Sequence, residues 1–203
     1  MMNGVHWQKI PRYLFGFSAI GLAGYFLLTR VHEPVIFFAS LFFIVICTTD
    51  TLHSKIPNLA TFTLVLIGLA YHIQAGGLPG GAKALTGLLL GFALLLGPYL
   101  LGGMGAGDVK ALAALGALLG PGDIFQVFIL SGLIGGAMAL THLLLSKNLK
   151  SRLRSWMTAA WLVISRQGFA GRAAEVVDTR FKYPYGAAIA FGFFAFISWG
   201  GLV

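Results

Sequence analysis

Seven nearly uncharged apolar runs divide this chain, at 13–29, 34–49, 59–75, 84–101, 109–120, 124–146 and 184–203. A helix that crosses the hydrocarbon core needs about 20 such residues. A soluble domain would need its apolar runs to be short and alternating, and these are neither. The composition agrees. The chain is 58% hydrophobic and 10% charged, with a mean hydropathy of +0.86, whereas soluble domains carry roughly 25% charged residues. The expected fold is an all-α, polytopic transmembrane helical bundle of about six or seven membrane segments. Residues 1–203 read as a single membrane-embedded domain.

The run at 109–120, VKALAALGALLG, is the short one. Its residues cover roughly 18 Å as a helix, so it must borrow neighbours, thin the bilayer or sit within protein. Charge supports its crossing. With seven crossings, every Lys and Arg except Arg30 and Lys83 falls on one side, the asymmetry that marks the cytoplasmic face. Without this crossing the basic stretch 147–183 moves to the other side. The same placement accounts for the net charge of +8: basic residues beside a membrane face anionic headgroups, and nucleic acid is not needed as a partner. The first run starts basic but has no small-residue cleavage site after it, so it reads as a retained anchor. Within 147–183, SWMTAAWLVIS (155–165) is too short to span. Trp156 and Trp161 suit a helix lying at the interface, either a plain linker or a lid over substrate.

Acidic residues are few: Glu33, Asp50, Asp108, Asp123, Glu175 and Asp178. Asp50 ends the second run and Asp108 begins the fifth, inside GMGAGDVK (103–110). Two crossings separate them, which returns both to the cytoplasmic side. Asp108 has an ordinary reading as an N-terminal helix cap. Asp50 falls at a helix C-terminus, where the dipole disfavours negative charge, and Pro57 and Asn58 are better placed to start the following helix. Ionisable groups at membrane depth are functional candidates by default. Two carboxyls sharing one site split their titrations, so one stays protonated while the other is charged. The ionised member draws a proton from water, the water attacks an amide carbonyl, and the protonated member donates to the developing oxyanion. This is aspartyl peptide hydrolysis, with no cofactor and no metal. Gly105 and Gly107, lacking Cβ, are expected to permit positive φ and close approach of a substrate backbone.

Other chemistries find less support. The five histidines are scattered without metal-ligand spacing. Cys47 is the single cysteine and reads as a buried packing residue. A proton-coupled transporter or channel using the same acidic pair, or an inactive membrane partner, are the alternatives. The transporter requires polar residues deep in several helices, and runs such as 84–101 are almost wholly aliphatic. Gly87-x-x-x-Gly91, Gly116-x-x-x-Gly120 and Gly132-x-x-x-Gly136 fit close helix packing.

Asp50-Thr-Leu-His-Ser-Lys-Ile-Pro57-Asn58 resembles the D-x5-I-P-N element of the type IV prepilin leader peptidases, and Gly105-Ala-Gly107-Asp108-Val-Lys110 resembles their G-x-G-D-x-K element. Tyr183-Pro184-Tyr185-Gly186 is similar to a third, P-Y-G element, although Ala187 stands where many members carry proline. The resemblance covers roughly 34–200. It implies a GxGD aspartic membrane protease, distantly akin to preflagellin peptidases and presenilins, in the cytoplasmic (inner) membrane. Its substrates would be pilin-like precursors cut between a basic leader and an apolar helix. It also implies Asp50 and Asp108 as the catalytic pair, with Gly105, Gly107, Lys110, Pro57 and Tyr185 shaping the loop or binding substrate. Lys110 either favours an ionised Asp108 or anchors its helix at the headgroups. Longer, bifunctional members add a domain with a cysteine tetrad and methylate the product. This chain resembles a short, peptidase-only form.

Overall fold

The computed structural model describes residues 10–100, 104–145 and 185–200. The stretch 147–183, with the interfacial helix expected at 155–165, lies outside the described residues, as does Gly103. Among the described residues there is helix and no strand: α1 (Ile10–Thr29), α2 (Pro34–His53), α3 (Asn58–Leu100), α4 (Ala106–Leu119), α5 (Pro121–Leu145) and α6 (Tyr185–Ser198). The helices α1, α2, α3 and α5 are each long and apolar enough to cross a bilayer. Their outward faces carry large exposed apolar side chains such as Phe17, Leu28, Phe62, Leu89 and Leu133, which suit lipid rather than water.

At 43 residues α3 would measure roughly 65 Å if straight, twice the hydrocarbon thickness. It is not straight. Gly77 breaks it with φ 62° and ψ −142°, a conformation open to glycine and strained for other residues. The limbs then fold back on each other. A Cβ on Gly80 would lie 1.9 Å from the His72 carbonyl oxygen, and one on Gly81 would lie 3.1 Å from the Ile73 side chain. The two limbs match the runs expected at 59–75 and 84–101.

Both limbs clasp α4. Gly68 of the first limb lies against the backbone of Ala117 and Leu118, and Gly87 and Gly91 of the second lie against Gly116 and Leu112. His72 Nε2 donates to the Leu118 carbonyl at 3.0 Å, taking up one of the carbonyls left open at the end of α4. Residues Ala111 to Leu119 of α4 are all buried. This resolves the short fifth run. At 14 residues, roughly 21 Å, α4 survives because protein encloses it. Its small side chains (AGDVKALAALGALL) allow that approach. Gly120, at φ 87°, makes the tight turn into Pro121, which opens α5.

The last run proves shorter than expected. It is helical over Tyr185–Ser198 and turns at Gly200, φ 87°, where the sequence suggested a helix to 203. Like α4 it is enclosed: Ala187 to Ala190, Phe193 and Phe194 are buried. Phe26 of α1, Phe43 of α2 and Phe193 and Phe194 of α6 stack through ring contacts of 4.7–5.6 Å between centroids. Such pairs contribute about 0.5–1.5 kcal/mol beyond burial.

Candidate active site

One end of the bundle gathers the residues that the sequence singled out. α2 ends there because Ser54 takes the left-handed conformation, φ 55°, and its N–H donates to the Asp50 carbonyl at 2.9 Å. Three linker residues, Lys55, Ile56 and Pro57, lead into α3 at Asn58. As the sequence suggested, Pro57 and Asn58 open that helix: Thr61 N–H donates to the Pro57 carbonyl at 3.4 Å, and Thr61 Oγ1 to the Asn58 carbonyl at 2.9 Å.

Asp108 is the third residue of α4, and it does cap that helix. Its Oδ2 accepts the Gly105 N–H at 3.1 Å, and its own N–H donates to the Gly105 carbonyl at 3.1 Å. The cap leaves the carboxyl buried, at 8% exposure, the same as Asp50. The two acidic side chains are close enough to act on each other's charge. Asp50 lies in the last turn of α2 and Asp108 in the first turn of α4, so the helical hairpin of α3 between them closes the distance.

The start of α6 covers the pair. A Cβ on Gly186 would sit 3.3 Å from Asp50 Oδ2, so this glycine lets α6 approach the carboxyl. Tyr185 beside it is half-buried, senses the charge of Asp108, and rests its ring on Gly135 of α5, where a Cβ would lie 2.9 Å from the ring. Lys110 Nζ donates to Asn58 Oδ1 at 3.0 Å, pinning the start of α4 to the start of α3. Among the described residues its hydrogen-bond partner is Asn58, and the side chain is exposed.

The expectation for the loop glycines needs correction. Gly105 has φ −83°, and Gly107 is not among the residues of positive φ. What both supply is space. A Cβ on Gly105 would lie 3.3 Å from Asp108 Oδ2, and one on Gly107 would lie 3.1 Å from Ile56. The loop is tight because the α2–α3 linker presses on it, a contact that no local pattern announces.

Arg12 is the residue that sequence reasoning did not single out for this site. Its guanidinium donates to the Asp50 main-chain carbonyl. In the sequence it is one basic residue among several at a membrane boundary, and the 38-residue separation carries no motif. Among the described residues no cluster of three His, Cys, Asp or Glu side chains comes together for a metal.

The description of the Type IV leader peptidase family matches residues 37–140, half of the chain and both aspartates. The chain belongs to the type IV leader peptidase family. Two similar proteins are named prepilin leader peptidase/N-methyltransferase. That of Aeromonas salmonicida (strain A449) is 32% identical over 122 residues, covering 52% of this chain and 42% of the relative. That of Aeromonas hydrophila is 32% identical over 124 residues, with the same two shares. The chain thus spans less than half the length of the curated relatives it matches. No solved structure matches it. Within the family match lie α4, both limbs of α3 and most of α2 and α5, while Arg12, Tyr185 and Gly186 fall outside it.

Proposed function

We propose that this protein is a membrane aspartic endopeptidase that removes the basic leader from type IV pilin-like precursors at the cytoplasmic face of the inner membrane. The observation that carries the reading is the pairing of two buried carboxyls, Asp50 and Asp108, supplied by separate helices at one end of the bundle. A single buried carboxyl is explained by capping; a second one near enough to act on its charge is not. Two like charges in one low-dielectric site resist joint ionisation, so the working form holds one proton between them. The ionised carboxyl takes a proton from water as that water attacks the scissile carbonyl, and the protonated one donates to the carbonyl oxygen as it becomes an oxyanion. Collapse of the tetrahedral adduct expels the amine, which takes a proton from one carboxyl while a hydroxyl of the adduct returns its proton to the other, restoring the one-proton pair.

The surroundings suit that chemistry. The Gly105 N–H holds Asp108 in one orientation, and Gly186 lets α6 close over Asp50. Lys110 and Asn58 fix the two helix starts relative to each other, Pro57 stiffens the linker that presses on Gly107, and Tyr185 walls the site opposite Asp108. Basic residues at this end face anionic headgroups.

The direct test incubates the purified protein with pilin-type precursors and reads the new N-terminus by mass spectrometry. A single cut between leader and apolar helix is expected; intact precursor under all conditions refutes the reading. Gly186 gives a second check. A valine there drives two methyl groups towards Asp50 Oδ2, already 3.3 Å from the position of a bare Cβ. Displacement of a catalytic group by even 1 Å costs on the order of 100-fold, so Gly186→Val should cut kcat by about tenfold or more while binding of precursor, read from KM, changes little.

A further inference from the structure

Among the described residues, α1 and α5 both pack on α6 yet barely meet each other. Between them a cavity of about 540 Å³ runs along α6. Its walls include Phe15 and Leu22 of α1 and Ile134 and Met138 of α5, and Phe191 and Ala195 of α6 form its floor. Ser18 and Ser198 also line it, but each hydroxyl already donates to a carbonyl of its own helix. No charged side chain lines the groove among the described residues. The other faces of α6 are covered: Gly186 lies against Asp50, Gly192 against Ser131 of α5, and Phe193 against Phe43 of α2. On the groove side Phe191 and Ala195 are only half-buried and Ser198 is exposed.

We propose that this groove seats the apolar helix of the precursor, and that the bond to be cut is carried from it over the first turn of α6 to the carboxyls. The inference rests on the peptidase reading and names the surface that holds its substrate. The groove begins at the depth of the pair. On one wall Phe15 sits between Arg12, which donates to the Asp50 carbonyl, and Gly16, which lies against Thr51. On the other, Ile134 adjoins Gly135, which carries the Tyr185 ring. From there the α1 wall continues to Phe26, roughly 16 Å deeper and about half of the hydrocarbon thickness. Polarity matches along this length. A precursor of this class is basic before the cut and a continuous apolar helix after it. Its helix lies against an uncharged lining from carboxyl depth inward, and its leader stays at the anionic headgroups. Docking of a helix by its apolar face needs a walled apolar groove, which α1, α5 and α6 supply. The first turn of α6 stands between groove and carboxyls. Packed helix axes lie about 8–10 Å apart, a step that about three extended residues cover. The turn they cross is low, because Gly186, Ala187 and Ala188 follow Tyr185.

The test gives two substrates to the full-length protein, to Ala195→Trp and to Leu22→Trp. One substrate is a complete precursor; the other is a peptide with the leader and only the first few residues after the cut. An indole at either position fills the groove, so kcat/KM for the precursor should fall about tenfold, carried by KM. The short peptide should be cut at the parental rate within about twofold. A tryptophan that merely disturbed the fold would slow both substrates alike. Equal effects on the two substrates, or no effect on either, overturn the proposal. The second measurement is photocrosslinking in membranes from benzoylphenylalanine at Phe15, Leu22 or Phe191, with the exposed Phe62 and Leu89 of α3 as controls. The precursor helix should be captured from the three groove positions and not from the controls, and Leu22 should capture residues about two turns later than Phe15 does. Capture of lipid alone, of a second copy of this chain, or of precursor equally from the controls overturns it. The crosslink is read in Asp108→Asn as well, so it needs no cleavage. Cleavage without capture from the groove removes this inference alone, and capture from the groove without any cleavage removes the peptidase reading alone.

Discussion

Replacing either Asp50 or Asp108 with asparagine lowers precursor cleavage by about 10²–10⁴-fold, the range associated with loss of a general acid or base. The protein should remain folded in the membrane. Asparagine has nearly the shape of aspartate, and at position 108 its amide oxygen still accepts the Gly105 N–H that caps α4. What it cannot do is take a proton from water or hand one to an oxyanion. If the two carboxyls act as a unit, as proposed, the double variant should be no worse than the more damaging single one within a few-fold, a non-additivity typical of catalytic groups that share one task. The parent should show a bell-shaped dependence of kcat/KM on pH, since under the proposed mechanism the pair works with one proton and fails with none or two. Cleavage at the parental rate by either asparagine variant excludes the pair from the chemistry.

The parts of this molecule that the sequence revealed are those fixed by the solvent around them. Hydropathy located all seven apolar runs, because in lipid each run must satisfy its backbone as a helix, and helices stand at all seven. The charge-poor composition made Asp50 and Asp108 conspicuous, and the count of crossings between them put both at one end of the bundle, where the structure also gathers them. Features decided by tertiary contact were hidden. Any glycine of GGLPGG (76–81) is a plausible place to break α3, and only the packing selects Gly77. Hydropathy reads α4 as a crossing that is too short, when its length is permitted by enclosure between two limbs of one hairpin. Gly107 suggested backbone freedom and instead makes room for Ile56. Arg12 was legible as a charge on the basic side; its hold on the carbonyl of Asp50, 38 residues away, depends on how α1 lies against α2, which no short-range pattern encodes.

The small-xxx-small spacings separate these two kinds of information, and they predict opposite outcomes for identical substitutions. Gly87-x-x-x-Gly91, Gly116-x-x-x-Gly120 and Gly132-x-x-x-Gly136 look alike in sequence. In the fold, a Cβ on Gly87 would stand 2.1 Å from the Gly116 carbonyl oxygen, and one on Gly116 would stand 2.2 Å from that of Gly87. Both obstacles are backbone, so neither can swing aside as a flexible side chain would. At Gly132 and Gly136 a Cβ would meet nothing within 4 Å among the described residues. Alanine is favoured over glycine in a helix by roughly 1 kcal/mol. At 132 and 136 that term acts alone, and Gly132→Ala and Gly136→Ala should be neutral or stabilising by up to about 1 kcal/mol. At 87 and 116 it is outweighed by overpacking, which costs typically 1–3 kcal/mol and more where backbones must part. Gly87→Ala and Gly116→Ala should therefore lower the unfolding midpoint by several degrees, and leucine at either position should abolish the folded state. Thermal unfolding of the four alanine variants in one detergent makes the comparison, and a similar shift at both pairs would mean that α3 and α4 do not meet through their glycines. Under the proposed function the seam also bears on activity. It fixes how α4 sits against the second limb of α3, and through α4 it sets where Asp108 faces Asp50. Cleavage by Gly87→Ala and Gly116→Ala should fall even at temperatures where the protein stays folded, whereas Gly132→Ala should cut precursor at the parental rate.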